Sequence, residues 1–328
     1  MCPVRTWTIR TEWERSAVDK TARPRGPTLV PRRHAGGALI LLALAAPSVL
    51  AAQQRWLNSP IGDGDRPVFP FFEGWYDNGD GTYTISFGYL NRNTSQVIEI
   101  PHGDRNYIEP AEFNGAQPTY FLASRNRGVF AVTIPTDRRD EDIWWYLTDE
   151  EDNEYKVPGR ARSPAYELDW YPRPHGSLPP LVWFQSEREA GKGPEGVWAD
   201  ATLTTRVGQA IELSVSTRDE SVRDPADPRF RETVPVRVVW SKYQGPAGEL
   251  TYGRPGSPSQ ETTTGDSGPG AEVISLPDAR GTARVLATFH APGEYVMRAQ
   301  ADNWSGPDST SGDQCCWSNA YVRVRVSQ

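Results

Sequence analysis

Cys315 and Cys316 stand side by side, and Cys2 is the third cysteine of the chain. Neighbouring Cα atoms lie about 3.8 Å apart across a trans peptide bond and about 2.9 Å across a cis one. An ordinary disulfide spans roughly 4.4–6.8 Å between Cα atoms. Such a pair is therefore a strained vicinal disulfide, two links to other chains, or two thiols held for a metal. Zinc is the least favoured of these, because no Cys-x-x-Cys and no matched histidine spacing accompanies the pair. His102, His175 and His290 fall on three separate segments and read as loop or packing residues. Serine-nucleophile elbows, HExxH and phosphate loops do not occur in the sequence. Glu73 and Asp77 flank an aromatic strand and are the carboxylates weighed as a general acid–base pair. For calcium, Asp77, Asn78 and Asp80 offer loop oxygens, but no glycine takes the sixth place that an EF-hand requires. Asp302, Asp308 and Asp313 are a second weak set near the cysteines.

Aromatic residues are the other chemical resource, with 12 Trp and 13 Tyr in the chain. They cluster at Phe71-Phe72-Glu73-Gly74-Trp75-Tyr76 and at Trp144-Trp145-Tyr146. Successive side chains on a strand point to opposite faces, so one of Trp144 and Trp145 enters a core and the other faces outward. The outward ring is expected to be covered by the aromatic segment around Trp170 and Trp183; left open, it would stack on sugar rings or meet a protein strand. The candidate binding residues are Trp75, Tyr76, Trp144 and Trp145, together with Trp304, Cys315, Cys316 and Trp317 around the cysteine pair. No cofactor and no catalytic residue is expected.

These residues meet an oxidising compartment if the chain is exported. Arg32, Arg33 and His34 precede the apolar run Ala38–Leu50, and Val49-Leu50-Ala51 ends it with small residues, the order of a secretory signal. The run has 13 residues, against about 20 for a membrane span. The first 28 residues are polar and lie too far upstream for an ordinary signal, so translation is expected to begin near Leu29 or Val30. Loss of residues 1–51 removes 8 of 35 Lys and Arg and 3 of 42 Asp and Glu, leaving 27 basic against 39 acidic residues. That balance disfavours nucleic acid and anionic membrane surfaces, which reward clustered positive charge. A protein or a glycan is the expected partner, and the location is secreted or periplasmic.

The elements that must position these groups are strands. Tyr83, Ile85, Phe87 and Tyr89 alternate after Asp77-Asn78-Gly79-Asp80-Gly81, whose Asn-Gly and Asp-Gly pairs suit a tight hairpin turn. Further short strands are expected at Val97–Ile100, Thr119–Ala123, Val129–Ile134, Ile143–Leu147 and Tyr155–Val157. Alternation resumes at Ile211–Val215, Val236–Trp240, Ala283–Phe289, Tyr295–Ala299 and Ala320–Val326. Between the two sets, Pro172, Pro174, Pro179 and Pro180 mix with Tyr166, Trp170, Tyr171, Trp183, Phe184 and Trp198. Proline cannot donate to a ladder, so this stretch is no central strand. The expected chain is all-β: a signal-bearing N-terminus over 1–51, one β-sandwich over 60–165, a linker over 166–200 and a second sandwich over 201–328.

Thr288-Phe289-His290-Ala291-Pro292-Gly293-Glu294-Tyr295, followed by Asp302, resembles the E–F corner of bacterial immunoglobulin-like and PKD-like domains. The resemblance implies that Tyr295 starts strand F and ties the corner down with its hydroxyl. It also places Trp240 as the core tryptophan of strand C and the cysteine pair in the F–G loop. Asp77–Thr82 is similarly reminiscent of hairpins in filamin-type repeats. Function is not carried by fold alone. The reading is a non-catalytic binding or structural protein with a vicinal disulfide shaping a Trp-flanked loop. The alternatives are a carbohydrate-binding module and a redox or metal protein centred on Cys315 and Cys316.

Overall fold

In the computed structural model the described residues are 63–168, 176–248, 250–256, 269–303 and 316–328. The signal run, Trp170, His175, Trp304 and Cys315 lie outside them. Nineteen strands and no helix longer than a 3-10 turn make up the described chain, and none of its helices is long and apolar enough to cross a membrane.

The N-terminal strands are β1 (Val68–Asp77), β2 (Thr82–Asn91), β3 (Ile98–Glu99), β4 (Asn106–Glu109), β5 (Tyr120–Phe121), β6 (Ser124–Pro135), β7 (Ile143–Thr148), β8 (Glu154–Gly159) and β9 (Glu167–Leu168). One sheet runs β6-β2-β1-β9 and a second β4-β7-β8, with β3 and β5 paired beside them. The β1–β2 turn forms as its residues demand: Asp77 accepts from the Gly79 N–H at 2.9 Å, and Asp80 from the Thr82 N–H at 3.0 Å. These bonds use the oxygens weighed for calcium as turn acceptors. Between the two sheets, Ile85, Phe87, Phe130, Val132, Ile143, Trp145 and Leu147 form one core. Phe87 stacks on Phe130 at 5.1 Å, and Trp145 stands edge-on to Phe130 at 5.0 Å.

The remaining strands are β10 (Leu181–Trp183), β11 (Val197–Trp198), β12 (Leu203–Arg206), β13 (Ile211–Arg218), β14 (Val236–Gln244), β15 (Leu250–Gly253), β16 (Ala271–Leu276), β17 (Arg280–Phe289), β18 (Gly293–Asp302) and β19 (Trp317–Ser327). They form the sheets β10-β13-β17-β15 and β11-β19-β18-β14-β16, with β12 continuing along β19. The core between these sheets includes Leu213, Val215, Trp240, Val285, Phe289, Met297 and Val322. Two features implied by the immunoglobulin-like resemblance are present. Tyr295, at the start of β18, donates its hydroxyl to the Ala291 carbonyl at 2.8 Å, and Trp240 is fully buried on β14.

The segment read as a linker does more than connect. Val182 pairs with Thr217 of β13, and Val197 and Trp198 pair in parallel with Ala320 and Tyr321 of β19. β10 and β11 thus supply edges to both sheets of the second sandwich, and only edge positions suit so many prolines. Gly196 permits this approach: its φ is +64°, and a Cβ there would collide with the Asn319 carbonyl.

Contacts also join the two halves, and residues 60–328 form one compact unit. On the outer face of β14, β18 and β19 the polar side chains of Ser241, Tyr243, Arg298, Asn319 and Tyr321 are nonetheless buried. Asn319 Nδ2 donates to the Gly128 carbonyl at 2.7 Å and to that of Pro194 at 2.9 Å, and its Oδ1 accepts from Arg298 Nε at 2.9 Å. Tyr321 donates to the Val129 carbonyl at 2.8 Å, and Tyr243 donates to that of Ala116. Lys242, 1% exposed, pairs with Glu99 at 3.0 Å.

Candidate functional site

The cysteine loop enters the described chain only at its margins. Cys316 and Trp317 are both buried, at 1% and 5% exposure. The Cys316 carbonyl accepts from the Asn303 N–H at 3.1 Å. Asn303 is itself anchored by Nδ2 bonds to the Leu178 carbonyl, Asp219 and Ser221 at 3.2–3.3 Å. Cys315 and Trp304 lie outside the described residues, so a Cys315–Cys316 bond stays an expectation. Among the described residues no three His, Cys, Asp or Glu side chains gather as a metal site.

Of the first aromatic cluster, Trp75 and Tyr76 are not available to a ligand, whereas Phe71 is 37% exposed. Trp75 and Tyr76 are 2% and 1% exposed, and Trp75 Nε1 donates to the Ser163 carbonyl at 2.9 Å. A bulge between Phe72 and Gly74 shifts the β1 register against β2, and burial of this stretch follows from strands covering both its sides. Trp145 is also a core residue, with no exposed surface and its Nε1 bonded to Asn106 Oδ1 at 3.1 Å. Strand alternation turns Trp144 outward from that core, onto the other face of β4-β7-β8, where it is half-buried; Trp170, expected to cover it, lies outside the described residues.

On that face Tyr107, Tyr146 and Lys156 occupy one row across the three strands, and Glu109, Trp144 and Pro158 occupy the next. The Tyr107 and Tyr146 rings stack at 4.4 Å and 5°. Lys156 Nζ lies 5.0 Å from the Tyr146 ring centre and 5.7 Å from that of Trp144. Tyr146 donates its hydroxyl to Glu109 at 2.9 Å. Burial first, and that acceptor second, push the Tyr146 phenol up to about 12. The sequence missed Tyr107 and Lys156 as neighbours of Trp144, because they sit in its vicinity only through strand register. The arrangement is a contact surface with one indole, two phenols, an ammonium and carboxylates.

Glu73 and Asp77 do not form an acid–base pair. Asp77 is exposed and held in the hairpin, and it stands four residue steps along the strand from Glu73, about 13 Å. Glu73 is 5% exposed and pairs with Arg125 at 2.5 Å and Arg127 at 3.7 Å. Gly88 makes room for this pair, since a Cβ there would collide with the Glu73 carboxylate. Burial raises the Glu73 carboxyl above its ordinary value even against both arginines, and burial also lowers Arg125. Both partners move in the direction that desolvation dictates, as in a buried pair whose desolvation exceeds its Coulomb gain. The second arginine and the exposed guanidinium edges keep the carboxylate tolerable. The pair is structural.

No family model and no curated relative matches the chain. Among solved structures, the D0-D1 domain of Intimin is similar at 13% identity, over 79% of this chain and 97% of that one, with a TM-score of 0.21. The Yersinia pseudotuberculosis adhesin InvE is similar at 13% identity, over 79% of this chain and 58% of that one, with a TM-score of 0.23. Domains 4 and 5 of the S-layer protein SbsC are similar at 10% identity, over 80% and 98%, with a TM-score of 0.22. At such values the likeness carries no argument, and the all-β assignment rests on the chain's own strands.

The Glu73 shift predicts a pH dependence. A carboxyl raised in the folded state contributes stability that is complete below its ordinary value of 4.5 and is lost as pH rises through the folded value. Urea unfolding of Glu73→Gln and wild type between pH 4 and 7 will show wild type losing stability relative to the variant across that window. Parallel pH profiles would show that Glu73 titrates alike in the folded and unfolded chain.

Proposed function

We propose that this chain is an exported, non-catalytic binding and structural module. In this reading two β-sandwiches, 60–165 and 201–328, are bridged by 166–200 and act as one rigid body. The supporting observation is the buried polar junction, in which Asn319, Tyr321 and Tyr243 spend their side chains on backbone carbonyls of the other half. A flexible pair of modules gains nothing from such bonds, whereas a spacer or presenting scaffold needs them. Asn319→Ala leaves three polar partners unsatisfied and is expected to cost about 3 kcal/mol, at roughly 1 kcal/mol for each. Hydrogen exchange should show amides of β7 and of β17 losing protection together in this variant. Loss confined to β17 would mean two independent modules and would end the rigid-body reading.

Export and the cysteine pair belong to the same proposal. Cys315 and Cys316 pair with each other in an oxidising compartment, and the strained ring stiffens the loop that Cys316 and Trp317 close. Intact mass measurement on the native protein, unreduced and denatured in alkylating reagent, addresses both points. The expected chain begins after Ala51 and takes up no reagent. A chain retaining Trp7, or one with two alkylated thiols, contradicts export or pairing respectively.

Carbohydrate binding is the second reading, and the outward position of Trp144 beside Tyr146 and Lys156 supports it. Retention on insoluble polysaccharides is expected to fall at least about tenfold in Trp144→Ala, the loss typical of an aromatic anchor. A wild-type protein that no polysaccharide retains would leave Trp144 as part of a packed surface.

A further inference from the structure

The open side of the C-terminal sandwich carries a pocket that neither the aromatic clusters nor the cysteine pair anticipated. It measures about 240 Å³ and is lined by Phe184, Gln185, Glu189, Val197, Trp198 and Asp200. Its location follows from topology. β10 ends one sheet and β11 ends the other, and the turn between them folds back so that Gly191 and Val182 exchange backbone bonds at 3.0 Å. A Ser186 cap holds the intervening 3-10 turn, while Gly193 N donates to Ser318 Oγ at 2.9 Å. The pocket walls are thus built on ladder and turn bonds.

Its lining has two characters. Phe184 and Val197 pack on the sandwich core from below and give an apolar floor. Trp198 is 44% exposed and supplies a wall; its ring is fixed by stacking on Tyr321 at 4.8 Å and by Arg323 at 4.5 Å. Around this apolar patch stand Gln185, Glu189 and Asp200. Neighbouring acidic groups of the same stretch are committed, Glu187 to Arg218 at 2.7 Å and Glu195 to Thr133 at 3.0 Å. Glu189 and Asp200 make no side-chain hydrogen bond or ion pair among the described residues, and the chain as a whole carries a net charge of −7.

From this we infer that the pocket accepts a lysine or arginine side chain of a partner protein. The stem of such a residue is apolar and its head cationic. That order matches a floor of Phe184 and Val197 beneath a rim of Glu189 and Asp200, with the Gln185 carbonyl as a third acceptor. Two carboxylates beside an apolar floor present acceptors and negative charge together, and charge complementarity of this kind sets partner choice more than raw affinity. Arg323, already resting on the indole, keeps the ring from turning and leaves the rim acidic by one net charge.

The test uses the full chain with indole-labelled tryptophan, the Trp198 signal being assigned by Trp198→Phe. Nα-acetyl-arginine methylamide is titrated against its uncharged isostere Nα-acetyl-citrulline methylamide and against neutral mono- and disaccharides. Saturable movement of the Trp198 N–H by the arginine probe is expected, with a dissociation constant of about 10 mM or below. Glu189→Gln combined with Asp200→Asn should weaken it at least about tenfold, with the remaining indole signals unmoved. Equal response to citrulline, an unchanged response of the double variant, or saturation by a saccharide instead would overturn the inference. So would silence of all probes up to about 50 mM.

Discussion

Burial of the polar face of β14, β18 and β19 is the constraint on which the rest of the molecule depends. A sheet face bearing Arg298, Asn319, Tyr321, Ser241 and Tyr243 belongs in water unless every group finds a partner. Here the partners are mainly backbone carbonyls of the other half, at Gly128, Val129 and Ala116. Carbonyls are fixed by the strands and loops that carry them, so the junction works in one register of β6 and one only. Lys242 shows the same economy. Its ammonium has three protons, and it meets Glu99, the Pro246 carbonyl and the Gly248 carbonyl at 2.6–3.0 Å, over the face of Tyr120 at 4.4 Å. The desolvation of a buried charge is offset only when its donors are filled in this way. Arg298 is the less complete case: Nε reaches Asn319, and Nη2 has no partner among the described residues. Its charge instead acts on the buried hydroxyls of Tyr89, Tyr243 and Tyr321, and burial holds all three phenols above their ordinary value.

What could be read from the sequence was local. The β1–β2 turn, the alternation of β2 and β7, and the corner at Tyr295 each depend on residues within a few positions of one another. Tyr295 reaches only four residues back. The split of Trp144 from Trp145 also followed from strand geometry alone, though which ring went inward did not. The junction was not legible, because Asn319 and Gly128 are 191 residues apart and a polar residue on a strand normally signals solvent. Arg323 and Arg325 illustrate the usual case, exposed on β19, while Tyr321 on the same face is buried by the other half. The edge strands of 181–198 were hidden for a different reason. Their prolines exclude a central strand but leave edges open, and composition does not tell an edge from a linker.

The aromatic load also has a physical account beyond recognition. Several rings that reach the surface carry a cation over one face: Arg125 over Phe71 at 4.1 Å, Arg138 over Phe113 at 5.2 Å, Arg323 over Trp198 at 4.5 Å, and Lys156 over Tyr146 at 5.0 Å. Each such contact is worth about 0.5–1 kcal/mol at an exposed site. Their common effect is to cover apolar faces with side chains that keep their heads in water. On the β4-β7-β8 face this leaves Tyr146 with Tyr107 on one side and Lys156 on the other, so edges and hydroxyls are presented more than open ring faces. A ligand there would meet hydrogen-bonding groups first. Trp144 lies beside this stack, its ring 6.3 Å from that of Tyr146 and tilted against it.

Proline content and the open side of the second sandwich are linked by the same backbone rule. A segment rich in proline can pair only briefly, so 181–198 gives each sheet a short edge and then turns away. Between those edges the core comes within reach of solvent, at Phe184 and Val197. A longer edge strand would have closed that gap and exposed a row of unpaired backbone groups instead, an invitation to unspecific strand pairing. The chain avoids that outcome with short edges, and the consequence is a small amphipathic recess whose acidic rim has no partner within the described fold. Specific recognition is thus most readily placed where the sheets fail to close. The recess and the junction share a face of β19, since the Trp198 wall stacks on Tyr321 and Tyr321 is held by the Val129 carbonyl of the other half.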